Sequence, residues 1–226
     1  MQILFEDEHL IAIDKPNGIF VHRTQLDPLA NTFVVQVVRD MIGQRVYPVH
    51  RLDRKTSGVL LLAKSKSIQS IINETFRDKG ILKVYHAIVR GYTEDHFTID
   101  YALKNEYGKM QDAVTECSTL SKVEIPISSG NFPTSRYSLL DVRPQSGRRH
   151  QIRRHLAHIL HPIIGDRPHG CNKQNKFFLN HYCMNTMLLH ASEISFIHPV
   201  LKSRIAIKSE FSGEFKRMFD VLGFNA

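Results

Sequence analysis

The stretch GVLLLAK, residues 58–64, restricts this chain more than any other. Its apolar run is unbroken, yet far shorter than the roughly 20 residues that span a bilayer. Such a run reads as a central strand in a sheet covered on both faces. The segments HLIAID (9–14), LKVYHAIV (82–89) and RYSLLDVR (136–143) are also strand-like, and MLLHA, ISFIHP and RIAIKS supply short strands late in the chain. The spacing predicts a helix over 33–42, capped by Asn31-Thr32 and stopped by Gly43. A second follows Ser65 or Ser67, with Ile68, Ile71, Ile72 and Phe76 on one face and Gly80 at its end. A third covers 150–160, where Ile152, Leu156, Ile159 and Leu160 make a stripe, and a fourth closes the chain on Phe215, Met218, Phe219 and Leu222. Residues 104–135, with scattered Gly, Ser and Pro, read as loops and a hairpin. Strands outnumber helices without strict βαβ alternation. The expectation is an α+β fold: a mostly antiparallel, mixed sheet core with flanking helices and loops. A length of 226 residues suits one domain, 1–226.

The acidic start MQILFEDEHL is unlike a signal or transit peptide, and a cytoplasmic location is expected. Cys117, Cys171 and Cys183 are odd in number and form no CxxC pair, so neither disulfides nor a thiolate zinc site is expected. Lys and Arg number 30 against 22 Asp and Glu, a net charge of +8. Clustered cations release counterions from a phosphate backbone, which points to a polyanionic partner.

The clustering centres on two stretches. In HRLDRKTSG (50–58) the single carboxylate Asp53 stands between Arg51 and Arg54. An isolated aspartate is most often a helix cap or half of a surface ion pair. Here the arginines offer planar donors suited to phosphate or a nucleobase. Thr56, Ser57 and Gly58 allow close backbone approach, and the strand that follows anchors the loop. The second stretch, SGRRHQIRRHLAH (146–158), holds Arg148, Arg149, His150, Arg153 and Arg154 in one turn and one helix. A solvated basic face is the ordinary reading. Arg153, beside the apolar stripe, starts near the buried boundary and wants a carboxylate, for which Asp53 is the candidate. Tyr85, in KVYHAIVRG (83–91), is either a core tyrosine with a bonded hydroxyl or a flat face for stacking an extruded base.

Other chemistries find less support. His155, His158 and His161 with Asp166 suggest a metallohydrolase, but this is not HExxH, no Glu serves as base, and the nearby arginines repel a cation; no metal is expected. No GxxxxGK[ST] or GxGxxG occurs, and Ser57 lacks a G-x-S-x-G setting.

Together these stretches resemble the RluA-type pseudouridine synthases. HRLDRKTSG matches the family's HRLDxxTSG, KVYHAIVRG its KxYxAxVxG, and SGRRHQIRRHLAHILHPIIGD its (T/S)GRxHQIRxHLAxxxHPIxGD; DKPNGIFVH and LLHASEISFIHP also fit. The matches run in order from residue 9 to about 199. The resemblance implies the pseudouridine synthase catalytic fold with a cleft across the sheet. It also implies isomerisation of uridine in RNA to pseudouridine, without cofactor or metal. Asp53 would be the catalytic carboxylate and Arg153 its partner. Tyr85 would stack on the target base and assist deprotonation of the ring carbon, and Arg51 would fill the gap left by the flipped nucleotide. Arg54, Arg148, Arg149, His150 and Arg154 would bind RNA. Burial alone would raise the pKa of such a carboxylate, whereas an adjacent arginine keeps it charged.

With the first strand so near the start, no separate amino-terminal RNA-binding module is expected. GRRHQIRRH, NFPTSRY (131–137) and DRPHGCNKQNK (166–176) resemble the tRNA-specific subgroup called TruC, which modifies uridine 65 of tRNA. His169 replaces a frequent tyrosine, and Ser146 a threonine. The expected partner is tRNA, with no membrane, no required protein partner and a monomeric state. The alternatives are a 23S ribosomal RNA pseudouridine synthase and, more distantly, a non-catalytic RNA-binding protein.

Overall fold

The structure, a computed structural model, describes residues 1–23, 31–77 and 80–225. Its elements run β1 (Gln2–Glu6), β2 (Leu10–Lys15), α1 (Val34–Ile42), β3 (Tyr47–Pro48), β4 (Ser57–Ala63), α2 (Lys66–Arg77), β5 (Leu82–Arg90) and β6 (His96–Asp100). There follow β7 (Leu103–Lys104), β8 (Met110–Gln111), β9 (Val114–Ile125), β10 (Ser135–Pro144), α3 (Gln151–His158), α4 (Asn172–Tyr182), β11 (Leu189–Ile197), β12 (Arg204–Lys208) and α5 (Gly213–Leu222). The chain folds into two compact units, one of Met1–Lys83 with Ala191–Glu210, the other of Val84–His190 with the residues from Phe211 on. The chain passes from one to the other after Lys83, after His190 and after Glu210. Among the described residues no helix is long and apolar enough to cross a membrane.

The first unit orders its strands β1-β2-β4-β11, with β3 beside β4 and β12 beside β11. β4 is the apolar run expected to be central, and every residue in it is buried. Alternate side chains leave opposite faces of a strand. Val59, Leu61 and Ala63 join Leu10 and Ala12 of β2, Ile68 and Ile72 of α2, and Ile194, Phe196 and Ile207 in one cluster. Ile11, Ile13, Leu60 and Leu62, on the other face, are fully buried too. Each buried leucine contributes roughly 2 kcal/mol relative to exposure. Gly58 opens β4 with φ +104°, and a Cβ there would lie 2.1 Å from the Ala191 carbonyl oxygen. Only glycine lets β4 approach β11 this closely.

The second unit orders β5-β10-β9-β6, antiparallel throughout. Ile88, Tyr137 and Leu139 pack with Phe177 and Phe178 of α4 and Phe215, Met218 and Leu222 of α5. On the alternate face, Ala87, Val89, Leu140 and Val142 pack with Ile152 and Leu156 of α3.

Several expectations change. Asn31-Thr32 does not cap α1: Phe33 is the N-cap residue and makes no side-chain bond to the helix. The carbonyls of Phe20 and Val21 instead accept the amides of Val34 and Val35, at 2.9 and 3.1 Å. Ser65 caps α2, its Oγ accepting the Ile68 amide, but Ile71 faces outward. α3 stops at His158, and Leu160 turns away with φ 65°, exposed. The two late apolar runs form the single strand β11. Residues 104–135, expected as loops and a hairpin, contain besides the β7–β8 hairpin the twelve-residue β9. α4 was not foreseen.

Candidate active site

The loop from Arg51 to Thr56 leads into β4, and a lysine shapes it. Lys15, at the end of β2, is fully buried. Its Nζ donates to the carbonyls of Pro16 at 2.9 Å, Arg54 at 3.1 Å and Thr56 at 2.7 Å. Three acceptors use all three hydrogens of an ammonium. Burial pulls this group down to about 7, against the opposing charges of Asp53 and Asp14. The Thr56 amide donates to the Asp53 carbonyl at 3.0 Å, closing the turn. Asp53 is half-buried at this turn, with the Lys15 charge beside it.

The flanking arginines differ in role. Arg54 donates from Nε to the Gly18 carbonyl at 2.9 Å and stacks over Phe20 at 5.0 Å. The Gly18 amide in turn donates to the Arg54 carbonyl at 2.8 Å. Arg54 therefore ties the KPNG turn to the Asp53 loop. Arg51 is exposed, and its charge, after burial, helps lower the His22 pKa. His50 is inside: its Nε2 accepts the Leu61 amide at 3.0 Å, anchoring the loop to β4. Burial first, then the Lys83 charge, pushes its pKa down to about 3, so the ring is neutral.

The second unit holds the other candidates. Tyr85 is half-buried on β5 and packs on the cluster that contains Ile152 and Leu156 of α3. Arg153, on α3, is clamped by Asp166: Nε to Oδ2 and Nη2 to Oδ1, both 2.8 Å, with side chains 8% and 1% exposed. A bidentate, buried pair fixes the guanidinium's plane. Gly165 makes the clamp possible, because with φ +80° a Cβ there would lie 1.6 Å from the Thr186 carbonyl oxygen. Asn175 of α4 holds the same turn, accepting the Gly165 amide and donating to the Asp166 carbonyl.

The turn before α3 is built on Gln151. Its Oε1 accepts from the Ser146 hydroxyl and the Arg148 amide, and its Nε2 donates to the Val114 carbonyl and Thr115 Oγ1. His150, at φ 54°, shares a hydrogen bond with His169 at 2.9 Å. Arg148 Nε donates to the Asp112 carbonyl at 3.1 Å, Arg154 Nη1 to the Lys104 carbonyl at 2.9 Å, and Arg149 lies 3.9 Å from Glu106. The histidines weighed as metal ligands have other work. His155 engages Thr115 Oγ1 and the Tyr101 carbonyl, His158 stacks on Tyr101 at 3.7 Å, and His161 bonds the Arg90 carbonyl.

The first unit thus collects Asp53, Arg51 and Arg54; the second collects Tyr85, Arg153, Arg148, Arg149, His150 and Arg154. Residues 9–158 match the family model described as RNA pseudouridylate synthase. The chain belongs to that family. It is 44% identical to tRNA pseudouridine synthase C of Vibrio parahaemolyticus serotype O3:K6, over 97% of this chain and 94% of that one. It is 41% identical to tRNA pseudouridine synthase C of Yersinia pestis, over 100% and 92%. Among solved structures, human RNA pseudouridylate synthase domain containing 4 superposes with a TM-score of 0.76 at 22% identity, covering 98% of this chain and 92% of that one, so the fold is shared.

Three residues that brace these candidates carry no role in the sequence patterns. Lys15 lies in the quoted DKPNG and His50 in the quoted HRLD, but neither received a role. Asp166 was weighed only as a metal ligand. No sequence pattern singles them out, because their neighbours Asp14, Arg51 and Arg167 are themselves charged.

Proposed function

We propose that this chain is a tRNA pseudouridine synthase that isomerises the uridine at position 65, with Asp53 as its catalytic carboxylate. The observation that carries the reading is the Asp53 turn, held from beneath by the three-way bond of the buried Lys15 ammonium. Reaction requires the bond from N1 of uracil to C1′ of ribose to break, the base to turn, and a bond from C5 to C1′ to form. N1 gains a proton and C5 loses one, so no redox partner is needed. Asp53 acts on the ribose as nucleophile or base. Arg153 serves as its partner, and Asp166 orients that guanidinium. Tyr85 stacks on the extruded base and assists removal of the C5 proton. Flipping costs a few kcal/mol, offset by stacking and backbone contacts. Arg51 fills the space the base leaves, and Arg54, Arg148, Arg149, His150 and Arg154 line the RNA path. The two units act as one catalytic domain, monomeric, cytoplasmic and without a required protein partner. Support for tRNA comes from relatives named for it at 40–44% identity.

Tritium release from carbon-five-labelled uridine tests this on transcribed tRNA and on ribosomal RNA fragments. Release is expected from tRNA, and none with Asp53→Ala, whose RNA affinity stays close to that of the parent. Release from ribosomal RNA alone, or residual turnover by Asp53→Ala, would contradict it.

A further inference from the structure

We infer that the β7–β8 hairpin is an RNA-contacting finger that stacks the Tyr107 ring on an unpaired nucleobase of the substrate. The inference rests on the proposed action on tRNA and adds a contact to it. A two-stranded hairpin is marginal alone and needs outside anchors. Here the anchors are arginines of the basic stretch. Arg154 holds the Lys104 carbonyl on one side of the hairpin, and Arg148 holds the Asp112 carbonyl just beyond the other. Arg149 reaches toward Glu106 near the tip, and Leu103 and Ala113 bury the base of the hairpin.

The tip is equally determined. Asn105 Oδ1 accepts the amides of both Tyr107 and Lys109 at 2.9 Å. The Gly108 amide, at φ +78°, donates to the Asn105 carbonyl, and the Asn105 amide to the Lys109 carbonyl. This turn projects Tyr107 outward, 86% exposed, with Met110 also exposed. A large ring held out on a braced turn contributes nothing to the core. Lys104, Lys109, Arg148 and Arg149 on the hairpin and its anchoring stretch are exposed, and they outnumber the exposed carboxylates Glu106 and Asp112 there. A flat aromatic face among cations is the combination that binds unpaired nucleic acid, the ring taking a base and the cations the phosphates. Arg148 and Arg154 thereby serve RNA binding in a second way, by holding the finger.

The test is direct titration of a fluorescently labelled full-length tRNA transcript with the intact chain. Tyr107→Ala is expected to weaken binding about ten-fold or more, and Tyr107→Phe, which keeps the ring, to bind within about two-fold of the parent. Equal affinity for Tyr107→Ala and the parent, or a Tyr107→Phe loss as large as that of Tyr107→Ala, would overturn the inference. Because the reading is affinity, it does not depend on turnover. An active parent with undiminished Tyr107→Ala binding sinks the finger alone. An inactive parent with weakened Tyr107→Ala binding sinks the function and leaves the finger standing.

Discussion

Lys15 is the residue on which the Asp53 turn depends. Lys15→Met keeps the length of the side chain but removes the donor from three carbonyls. Each buried acceptor left without a partner costs about 1–3 kcal/mol. A loss of about 2 kcal/mol or more in urea unfolding is expected, with turnover reduced further because the Asp53 turn loosens. Unchanged stability and rate would show that the turn holds itself. His50 gives a pH signature. Its pKa is pushed from 6.5 to about 3 in the folded chain, so between those values the unfolded chain binds the extra proton. Stability therefore falls as pH drops from 6.5 toward 3. His86 and His155, also lowered chiefly by burial, act in the same direction. His50→Gln is expected to flatten the slope of unfolding free energy between pH 7 and pH 5 relative to the parent, and an equal slope would mean that His50 takes no part.

The helix α3 and the turn at Gly165 stand or fall together through Arg153 and Asp166. Removing one member of a buried pair strands the other's charge, at about 3–5 kcal/mol. Arg153→Leu is expected to destabilise by that order, and Arg153→Leu with Asp166→Leu to recover part of the loss; an equal or larger loss in the double variant would contradict the pairing. This clamp also shows what the sequence could carry. The stripe at Ile152 and Leu156 located α3, but side chains thirteen residues apart in sequence meet only through the turn at Gly165, whose close approach to Thr186 leaves no periodic trace. β4 was legible because its apolar run is unbroken, and β5 and β10 because short apolar stretches in them are interrupted by polar residues in a strand-like way. β9 was not, since its VTECSTLSKVEI alternates weakly and buries few residues. α4 was hidden for a related reason, as Gln174, Phe177 and Phe178 are its buried residues and two of them are adjacent. Arg148 and Arg154 were read for their charge, whereas the carbonyls they hold belong to backbone that side-chain patterns do not describe.

Over the whole molecule the net charge of +8 and the family match agree on a polyanionic substrate. Within the first unit Lys15 holds the Asp53 turn, and within the second Asp166 holds Arg153. The family was legible because long, ordered motifs span the sequence, while Lys15, His50 and Asp166 emerged only with the hydrogen bonds they make. The most direct measurement is pseudouridine mapping of tRNA from cells that carry the chain, lack it, or carry it with Asp53→Ala. Pseudouridine at position 65 is expected with the intact chain and absent in the other two. Its persistence without the chain, or with Asp53→Ala, would contradict the assignment.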